Sequence, residues 1–183
     1  TATPVKKLAL NLGAPGDRRD ATGRLWLSYP RPKSNKTTGL ELNLDLGEAF
    51  VKGGKFVSVD GDASEISSSP AAWVFSSSAH GIMRCAVPLR GKGDQPSRYI
   101  VRLYFSSGST KQPQAGQRVF DVRVQGQVVL KDVDAAKAGK DGTVVHEIPN
   151  VSVKDRLTIE LVPKTGKQPM LSGIEVSEIS AGQ

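Results

Sequence analysis

An all-β, two-sheet sandwich of jelly-roll type is the fold that the sequence predicts, on the strength of three observations. Apolar side chains alternate with polar ones along several short runs, which is the pattern of strands with one buried face. The 183 residues include 19 glycines and 11 prolines, enough to supply turns between many short strands. The plausible helical turn is short, covering residues 133–138 and ending at Gly139.

The alternation is clearest in the second half of the chain, in residues 99–105, 120–124, 144–153 and 157–161. Other strand candidates are residues 8–12, 24–27, 40–46, 55–59, 71–76, 83–89 and 173–179. The sequence Val-Gln-Gly-Gln-Val at 124–128 predicts a tight hairpin through Gly126. The side chains predicted to point inward are Tyr99, Val101, Leu103, Phe105, Phe120, Val122, Val124, Ile159 and Leu161.

Length and composition predict residues 1–183 as a single domain. No apolar run approaches the roughly 18 residues that span a bilayer, so no membrane insertion is expected. Cys85 is the one cysteine and cannot form an internal disulfide. We expect it to be a small buried apolar residue.

The net charge of +7 is spread unevenly along the chain. Residues 1–40 hold eight Lys or Arg and two acidic residues, whereas residues 41–183 hold 17 and 16. A basic face can meet nucleic acid, anionic polysaccharide or an acidic partner. The basic N-terminal segment 1–40 lacks a nucleic-acid motif with interleaved stacking aromatics, so nucleic acid is not an expected partner.

Catalytic and metal-binding motifs do not stand out. His80 and His146 lack metal-ligand spacing, and no Gly-x-Ser-x-Gly elbow or phosphate-binding glycine loop occurs. The acidic runs at 60–62 and 132–134 could bind calcium, but ordinary turn chemistry is favoured for both. The sequence therefore predicts neither an enzyme, nor a cofactor, nor a metal site.

A set of motifs in a characteristic order resembles the malectin-like carbohydrate-binding domains of the bacterial type. They are residues 99–105, 116–122, Gly126, 129–134, 138–139, 157–163 and 172–176, with the compatible opening segments 10–13 and 20–26. The resemblance is strongest over residues 99–179. It implies a jelly-roll sandwich that binds sugars through loops at one edge, in some cases as one domain of a large secreted or envelope protein.

The binding residues of the family do not carry over to this chain. A loop Tyr-Phe pair of the family falls near Ser109 and Thr110, and a late Asp falls near Lys167. Rings that could replace the missing platform, since sugars stack on flat aromatic faces, are those of Tyr29, Trp73 and Tyr104. Trp26 is a weaker candidate, and for both tryptophans a place in the core is the favoured alternative.

The loops implied to carry the ligand site are residues 28–39, 76–81 and 106–117. Lys111 and Lys167 would make this edge basic, which favours an acidic polysaccharide over a neutral glucan; the competing interpretation is that these lysines only keep the surface soluble. Arg102 and Asp121 are expected to form a cross-strand ion pair rather than part of the site.

Two functions stay open at this point. The first is a non-catalytic carbohydrate-binding module of an extracytoplasmic protein. The second is a structural or protein–protein interaction domain of a larger envelope protein that has lost the sugar site. A concave edge lined by exposed Trp73, Tyr29 or Tyr104 would support the first, and a flat polar edge the second.

Overall fold

A computed structural model describes residues 4–31, 44–58, 71–108, 114–138 and 141–180. Strand accounts for 58% of these residues and helix for 6%. The predicted all-β sandwich is therefore confirmed, as is the expectation of very little helix.

Eleven strands and two short helices lie in the described residues. The strands are β1 Lys7–Leu12, β2 Arg18–Arg19, β3 Leu25–Tyr29, β4 Ala49–Ser58, β5 Ser77–Pro88, β6 Ser97–Ser106, β7 Phe120–Val124, β8 Gln127–Val133, β9 Thr143–Val153, β10 Arg156–Pro163 and β11 Met170–Glu178. A 3₁₀ helix covers Ala72–Ser76, and α1 covers Ala135–Ala138 within the predicted helical turn.

The strands pair into two sheets that share one strand. The first sheet has the order β2-β3-β1-β11-β6-β9, and the second has the order β4-β5-β10-β7-β8. All pairs are antiparallel except β1 with β3. β11 pairs first with β5 through Met170 and Leu171, then shifts register and pairs with β6 and β1. This strand therefore joins the two layers.

The main core lies between the sheets and consists of the inward side chains of both. All nine side chains predicted to point inward are at most 3% exposed. Phe105 and Phe120 meet here across the layers, with ring centroids 5.2 Å apart. Cys85 is also buried, as expected, and burial raises the pKa of its thiol to about 12.

The predicted hairpin joins β7 to β8 with a two-residue loop. Gln125 and Gly126 both have positive φ, 52° and 78°, as a type I′ turn requires. Gly126 adopts this conformation without steric cost. The Gln125 side chain anchors the turn, because its Oε1 accepts hydrogen bonds from both the backbone N–H and the hydroxyl of Thr158.

Two predictions around residue 76 are wrong. The strand predicted at 71–76 is instead a 3₁₀ helix over Ala72–Ser76, in which Val74 and Phe75 are buried together over the outer face of the first sheet. Residues 77–81 belong to β5 rather than to a loop. The serine run suggested a loop, but the Ser77 hydroxyl is buried and donates to Asn11 Oδ1 at 2.9 Å.

Of the strand predicted at 40–46, residues 40–43 lie outside the described part of the chain, and residues 44–46 are not in a strand. Leu46 is nevertheless fully buried, and its carbonyl accepts a hydrogen bond from Ala86 N–H at 2.7 Å. This segment therefore runs beside β5 without forming a regular ladder.

A second apolar cluster covers the outer face of the first sheet. It comprises Ala9, Trp26, Ala71, Val74, Phe75 and Tyr104, with Ala72 and Trp73 packed against it. The close packing depends on Gly173 in β11, where a Cβ would lie 2.8 Å from Val74 Cγ1 and 3.1 Å from the Trp26 ring. The 3₁₀ helix therefore forms a third layer on one side of the sandwich.

Candidate functional site

One rim of the sandwich brings together the loop after β6 and the loop after β10. The backbone N–H of Lys167 donates to the Gln117 carbonyl at 3.2 Å, and that of Gly81 donates to the Pro169 carbonyl at 2.8 Å. Two of the segments predicted to carry the ligand site, 106–117 and 76–81, are thus neighbours of Lys167 at this rim. Residues 109–113, which include Lys111, lie outside the described residues.

Arg118 belongs to this rim, two residues before β7, and its side chain is half-buried. Its Nη1 donates to the Gln168 carbonyl. Its Nε is buried and has no hydrogen-bond partner. Burial lowers the pKa of the Arg118 guanidinium because it disfavours the charged form. Within the described residues, no carboxylate forms an ion pair with it.

His80 belongs to the same rim, on β5, where its backbone pairs with Lys55 and Met170. Its pKa is lowered, first by burial and then by the positive charges of Arg118 and Lys55. The imidazole is therefore neutral at physiological pH. The charged groups that shift the pKa of His80 are thus both cations, Arg118 and Lys55.

The outer face of the first sheet holds a different polar group, the carboxylate of Glu175, which is 2% exposed. It accepts hydrogen bonds from Arg102 Nη1 at 2.8 Å and from the Tyr104 hydroxyl at 2.9 Å, and it pairs with Arg24. Arg102 also contacts Glu147 Oε2 at 2.7 Å. This buried charge is thus fully satisfied within the protein.

Tyr104 and Trp26 pack into the second apolar cluster and are not surface rings. Tyr104 is 7% exposed, and its ring centroid lies 5.0 Å from that of Trp26 in an edge arrangement. Burial raises the pKa of Tyr104, and Glu175 raises it further. Trp26 Nε1 donates to Asp20 Oδ2 at 3.0 Å. Trp26 is therefore a core residue, which was the favoured alternative, and its indole N–H has an acceptor.

Trp73 is the more exposed tryptophan, in the 3₁₀ helix, where it is half-buried. The Arg18 guanidinium lies over its ring, 4.9 Å from the centroid, in a cation–π contact. Its aromatic neighbour is Trp26, with the two ring centroids 6.0 Å apart. Arg18 therefore covers a ring face that a sugar would need.

Tyr29 ends β3 and is 6% exposed. Its hydroxyl donates to Glu48 Oε2 at 2.7 Å, and its ring packs at 5.6 Å against Phe56. Burial raises the pKa of Tyr29 to about 12, with a further contribution from Glu48. The structure thus does not bring Tyr29, Trp73 and Tyr104 together: Tyr29 lies in the main core and the other two lie in the outer cluster.

The two Trp, three Tyr and five Phe of the chain all lie in described residues. Seven of these rings are buried, and the exceptions are Trp73, Phe50 and Phe56. Phe50 and Phe56 are partly buried and pack on each other at 5.1 Å. Partly exposed aromatic rings are therefore limited to these three residues.

The ion pair predicted between Arg102 and Asp121 is wrong. These residues lie on β6 and β7, which belong to different sheets. Arg102 pairs with Glu147 and Glu175, whereas Asp121 Oδ1 contacts Lys164 Nζ at 2.9 Å. Alternation places both side chains on outward faces, but it does not specify which strands are neighbours.

The acidic run 132–134 is used in turn and capping contacts. Asp134 accepts hydrogen bonds from the backbone N–H groups of Gly116 at 2.6 Å and Ala136 at 3.1 Å, and Asp132 Oδ1 contacts Lys164 Nζ at 2.8 Å. The run 60–62 lies outside the described residues. Among those described, no group of three or more His, Cys, Asp or Glu side chains is placed to hold a metal ion.

An open depression of about 690 Å³ lies at the opposite rim, beside Arg84, Gln125, Lys154 and Arg156. Its polar groups are largely engaged: Gln125 Nε2 donates to the Arg156 carbonyl, and Arg156 Nη2 donates to the carbonyls of Asp45 and Ala86. These contacts hold the segment before β4 against β5, so the depression is a weaker candidate than the rim with Arg118.

Arg118 was not identified as a candidate from the sequence, although the alternation indicates that it lies in register with buried residues. Arg118 has the same parity as Phe120, Val122 and Val124, which all point inward. A cation in register with a buried face is uncommon unless it is paired or lies at the edge of that face. Glu175 was also missed, because its alternation with Ile174 and Val176 indicates an ordinary outward residue.

No helix in the described part of the chain is long and apolar enough to cross a membrane. Among curated proteins, Receptor-like protein 4 of Arabidopsis thaliana is 37% identical over 89 residues, which are 46% of this chain and 14% of that protein. The chain therefore corresponds to a small part of that relative.

Among solved structures, β-glucuronidase of Bacteroides uniformis matches with a TM-score of 0.66 and 16% identity, over 95% of this chain and 18% of that one. The ANX2 ectodomain of Arabidopsis thaliana matches with a TM-score of 0.64 and 19% identity, over 96% and 42% of the two chains. At these identities the likeness shows the fold alone. The family model described as the Malectin domain matches residues 78–176, which is more than half of the chain, and the chain therefore belongs to the malectin family.

Proposed function

We propose that this chain is a non-catalytic carbohydrate-binding module of an extracytoplasmic protein, and that it binds saccharide at the rim that carries Arg118 and Lys167. The observation that supports this most is the meeting of the loops after β6 and β10 with Gly81, through the Lys167–Gln117 and Gly81–Pro169 hydrogen bonds. These contacts join described parts of two loops at the place where the resemblance implies ligand loops.

The charge of this rim supports an acidic saccharide rather than a neutral one. Lys167 is exposed, and the charges acting on His80 come from Arg118 and Lys55. Open aromatic platforms are scarce, so stacking contributes less here than charge and hydrogen bonding. Attraction by exposed lysines falls off beyond about 8–10 Å at physiological salt, and we expect weak, salt-sensitive binding from Lys167.

Affinity electrophoresis against pectate and against a neutral β-glucan tests the proposal. We expect retardation by pectate that decreases in Lys167→Glu and at high salt. Lys154→Glu is the matched control, because Lys154 is exposed at the opposite rim and its charge reversal changes the net charge equally. Retardation by the glucan alone would show the charge argument to be wrong, and retardation by neither would contradict sugar binding.

A second function, a protein–protein interaction domain, is favoured by the state of the aromatic residues. Tyr29 and Tyr104 are buried with engaged hydroxyls, and the ring of Trp73 is covered by Arg18. Trp and Arg side chains are the residue types enriched at energetic centres of protein interfaces. A glycan array without any bound sugar, together with a partner whose binding is lost in Trp73→Ala, would favour this function over the first.

We propose no catalytic role for the chain. The β-glucuronidase match covers 18% of that enzyme, and fold likeness does not supply an activity. Two further expectations remain proposals: that the parent protein is a bacterial envelope or secreted protein, and that residues 1–183 form one domain.

A further inference from the structure

Arg118 is a half-buried cation that the described protein does not neutralise. Nη1 reaches the Gln168 carbonyl, Nε is buried without a partner, and no ion pair to a carboxylate is formed within the described ranges. Arginine stays protonated in proteins, so the charge is present. A buried charge without a counterion is costly, and such groups are normally paired. Within the described residues, the charge of Arg118 is therefore not compensated.

Arg118 shares one neighbour, His80, with a second cation. Arg118 and Lys55 both act on His80 and lower its pKa, after the larger contribution of burial. Nη2 of Arg118 lies beside Gly108, where an added Cβ would be 3.6 Å from it. Gly108 has φ +81°, so a side chain is disfavoured there. Residue 108 therefore places no side chain against the end of the guanidinium.

The contrast with the other arginines identifies Arg118 as unusual. Arg102 has two carboxylate partners, Arg90 pairs with Glu178 at 2.8 Å, and Arg31 pairs with Asp17 at 2.9 Å. Fully exposed arginines need no partner because water solvates them. Arg156 is also partly buried and donates to carbonyls, those of Asp45 and Ala86. Among the described arginines, Arg118 differs because it combines a carbonyl acceptor and no carboxylate partner with a buried Nε that has no acceptor.

We propose that Arg118 is the specificity-determining residue of the rim and that it pairs with the carboxylate of a uronic-acid residue, through Nη1 and Nη2. This inference rests on the proposed carbohydrate function and deepens it. A planar guanidinium matches a carboxylate with two parallel hydrogen bonds, a geometry that exposed lysines do not offer. Because Arg118 is half-buried, its contribution is screened by salt less than that of Lys167.

The test compares two probes, a galacturonate oligosaccharide and the same oligosaccharide with its carboxylates reduced to alcohols. Isothermal titration calorimetry at about 0.15 M salt measures both affinities. We expect the carboxylated probe to bind the native protein about tenfold more tightly or better, as charge-assisted pairs allow. In Arg118→Gln this preference should fall to near unity, and Arg118→Lys should retain only part of it.

The matched control is Arg123→Gln, which removes one exposed arginine from the adjacent strand β7 and should leave the preference unchanged. Urea unfolding of each variant shows whether the fold is kept. If Arg118→Gln does not fold, the comparison relies on Arg118→Lys, in which an undiminished preference would overturn the assignment.

The possible failures are distinguishable. If the native protein binds neither probe, the proposed carbohydrate function fails, and this inference fails with it. If it binds both probes equally, or if Arg118→Gln keeps the preference, the carbohydrate function stands and the role of Arg118 is wrong.

Discussion

Two regions of the molecule differ in how a buried charge is compensated: the network around Glu175 on the outer face of the first sheet, and the rim around Arg118. Glu175 is almost fully buried and has three partners, Arg24, Arg102 and the Tyr104 hydroxyl. Arg118 is half-buried and has a backbone carbonyl and an unpartnered Nε. The first arrangement is complete without a ligand, whereas the second is not.

The difference separates a structural group from a candidate binding group, although both lie in the same domain. A satisfied buried charge resists change because removing one partner leaves the others uncompensated. An unsatisfied one lowers stability and is available to a ligand of opposite charge. Tyr104 is one of the structural groups, since its hydroxyl donates to Glu175 and its ring packs in the outer apolar cluster.

The largest expected effect is in the main core beneath the rim. Phe120→Ala should lower the free energy of unfolding by about 3–5 kcal/mol, the range for truncating a buried aromatic residue, because the ring is 1% exposed and packs on Phe105. Urea denaturation measures the change, with Phe120→Leu as a milder control. A loss below about 1 kcal/mol would mean that the core does not depend on this residue.

The next effect tests the network around Glu175. Glu175→Ala should cost about 3 kcal/mol, because it leaves the Tyr104 hydroxyl and Arg24 without their acceptor and Arg102 with Glu147 alone. Glu147→Ala, which removes the exposed partner of Arg102, should cost less than about 1 kcal/mol. Equal losses in the two urea midpoints would show that burial of Glu175 adds nothing.

The fit of the 3₁₀ helix on the first sheet gives a third test. Gly173→Ala should cost about 1–3 kcal/mol by overpacking, since the new Cβ meets Val74 and Trp26. Gly166→Ala is the control, as an added Cβ there has no neighbour within 4 Å. Thermal unfolding followed by tryptophan fluorescence, in which Trp26 serves as the probe, should separate the two variants.

Substitution of Arg118 at the rim should change the free energy of unfolding much less than substitution of Glu175. Arg118→Gln should change stability by less than about 1 kcal/mol, because the lost hydrogen bond to Gln168 is offset by removal of an unneutralised charge. Urea unfolding of this variant beside Glu175→Ala compares the two regions. A loss as large as that of Glu175→Ala would place Arg118 among the structural residues.

The smallest effect is a pH dependence that arises at the rim. The pKa of His80 is lowered by burial, Arg118 and Lys55, so the unfolded chain takes up this proton first as the pH falls through about 6.5. Stability should therefore be full above that pH and decline below it. In urea titrations between about pH 7.5 and 5.5, His80→Gln should show a weaker decline.

His146 is the natural control for that titration, because burial alone lowers its pKa. His146→Gln should also weaken the decline in stability but should leave the pKa of His80 unchanged. Arg118→Gln, by contrast, should raise the pKa of His80. Nuclear magnetic resonance titration of the two imidazoles measures these values, and an unchanged pKa of His80 in Arg118→Gln would contradict the coupling.

Period-two alternation determined most of the fold from the sequence. It identified β6, β7 and β10 and their buried residues, because one face of each strand must leave water wherever two sheets pack. The hairpin at Gly126 followed from local backbone chemistry alone. The serines before β5 misled the prediction, since a buried hydroxyl is acceptable in a strand once Asn11 accepts its hydrogen bond.

Only the tertiary structure decided what lies outside the first sheet and which charges are paired. Alternation shows that Tyr104 and Glu175 leave the main core, but not that the 3₁₀ helix covers that face. Strand order placed Arg102 beside Glu147 and Glu175 and separated it from Asp121. It also left Arg118 without a carboxylate partner among the described residues, because pairing depends on neighbours distant in sequence, whereas alternation is a local property of each strand.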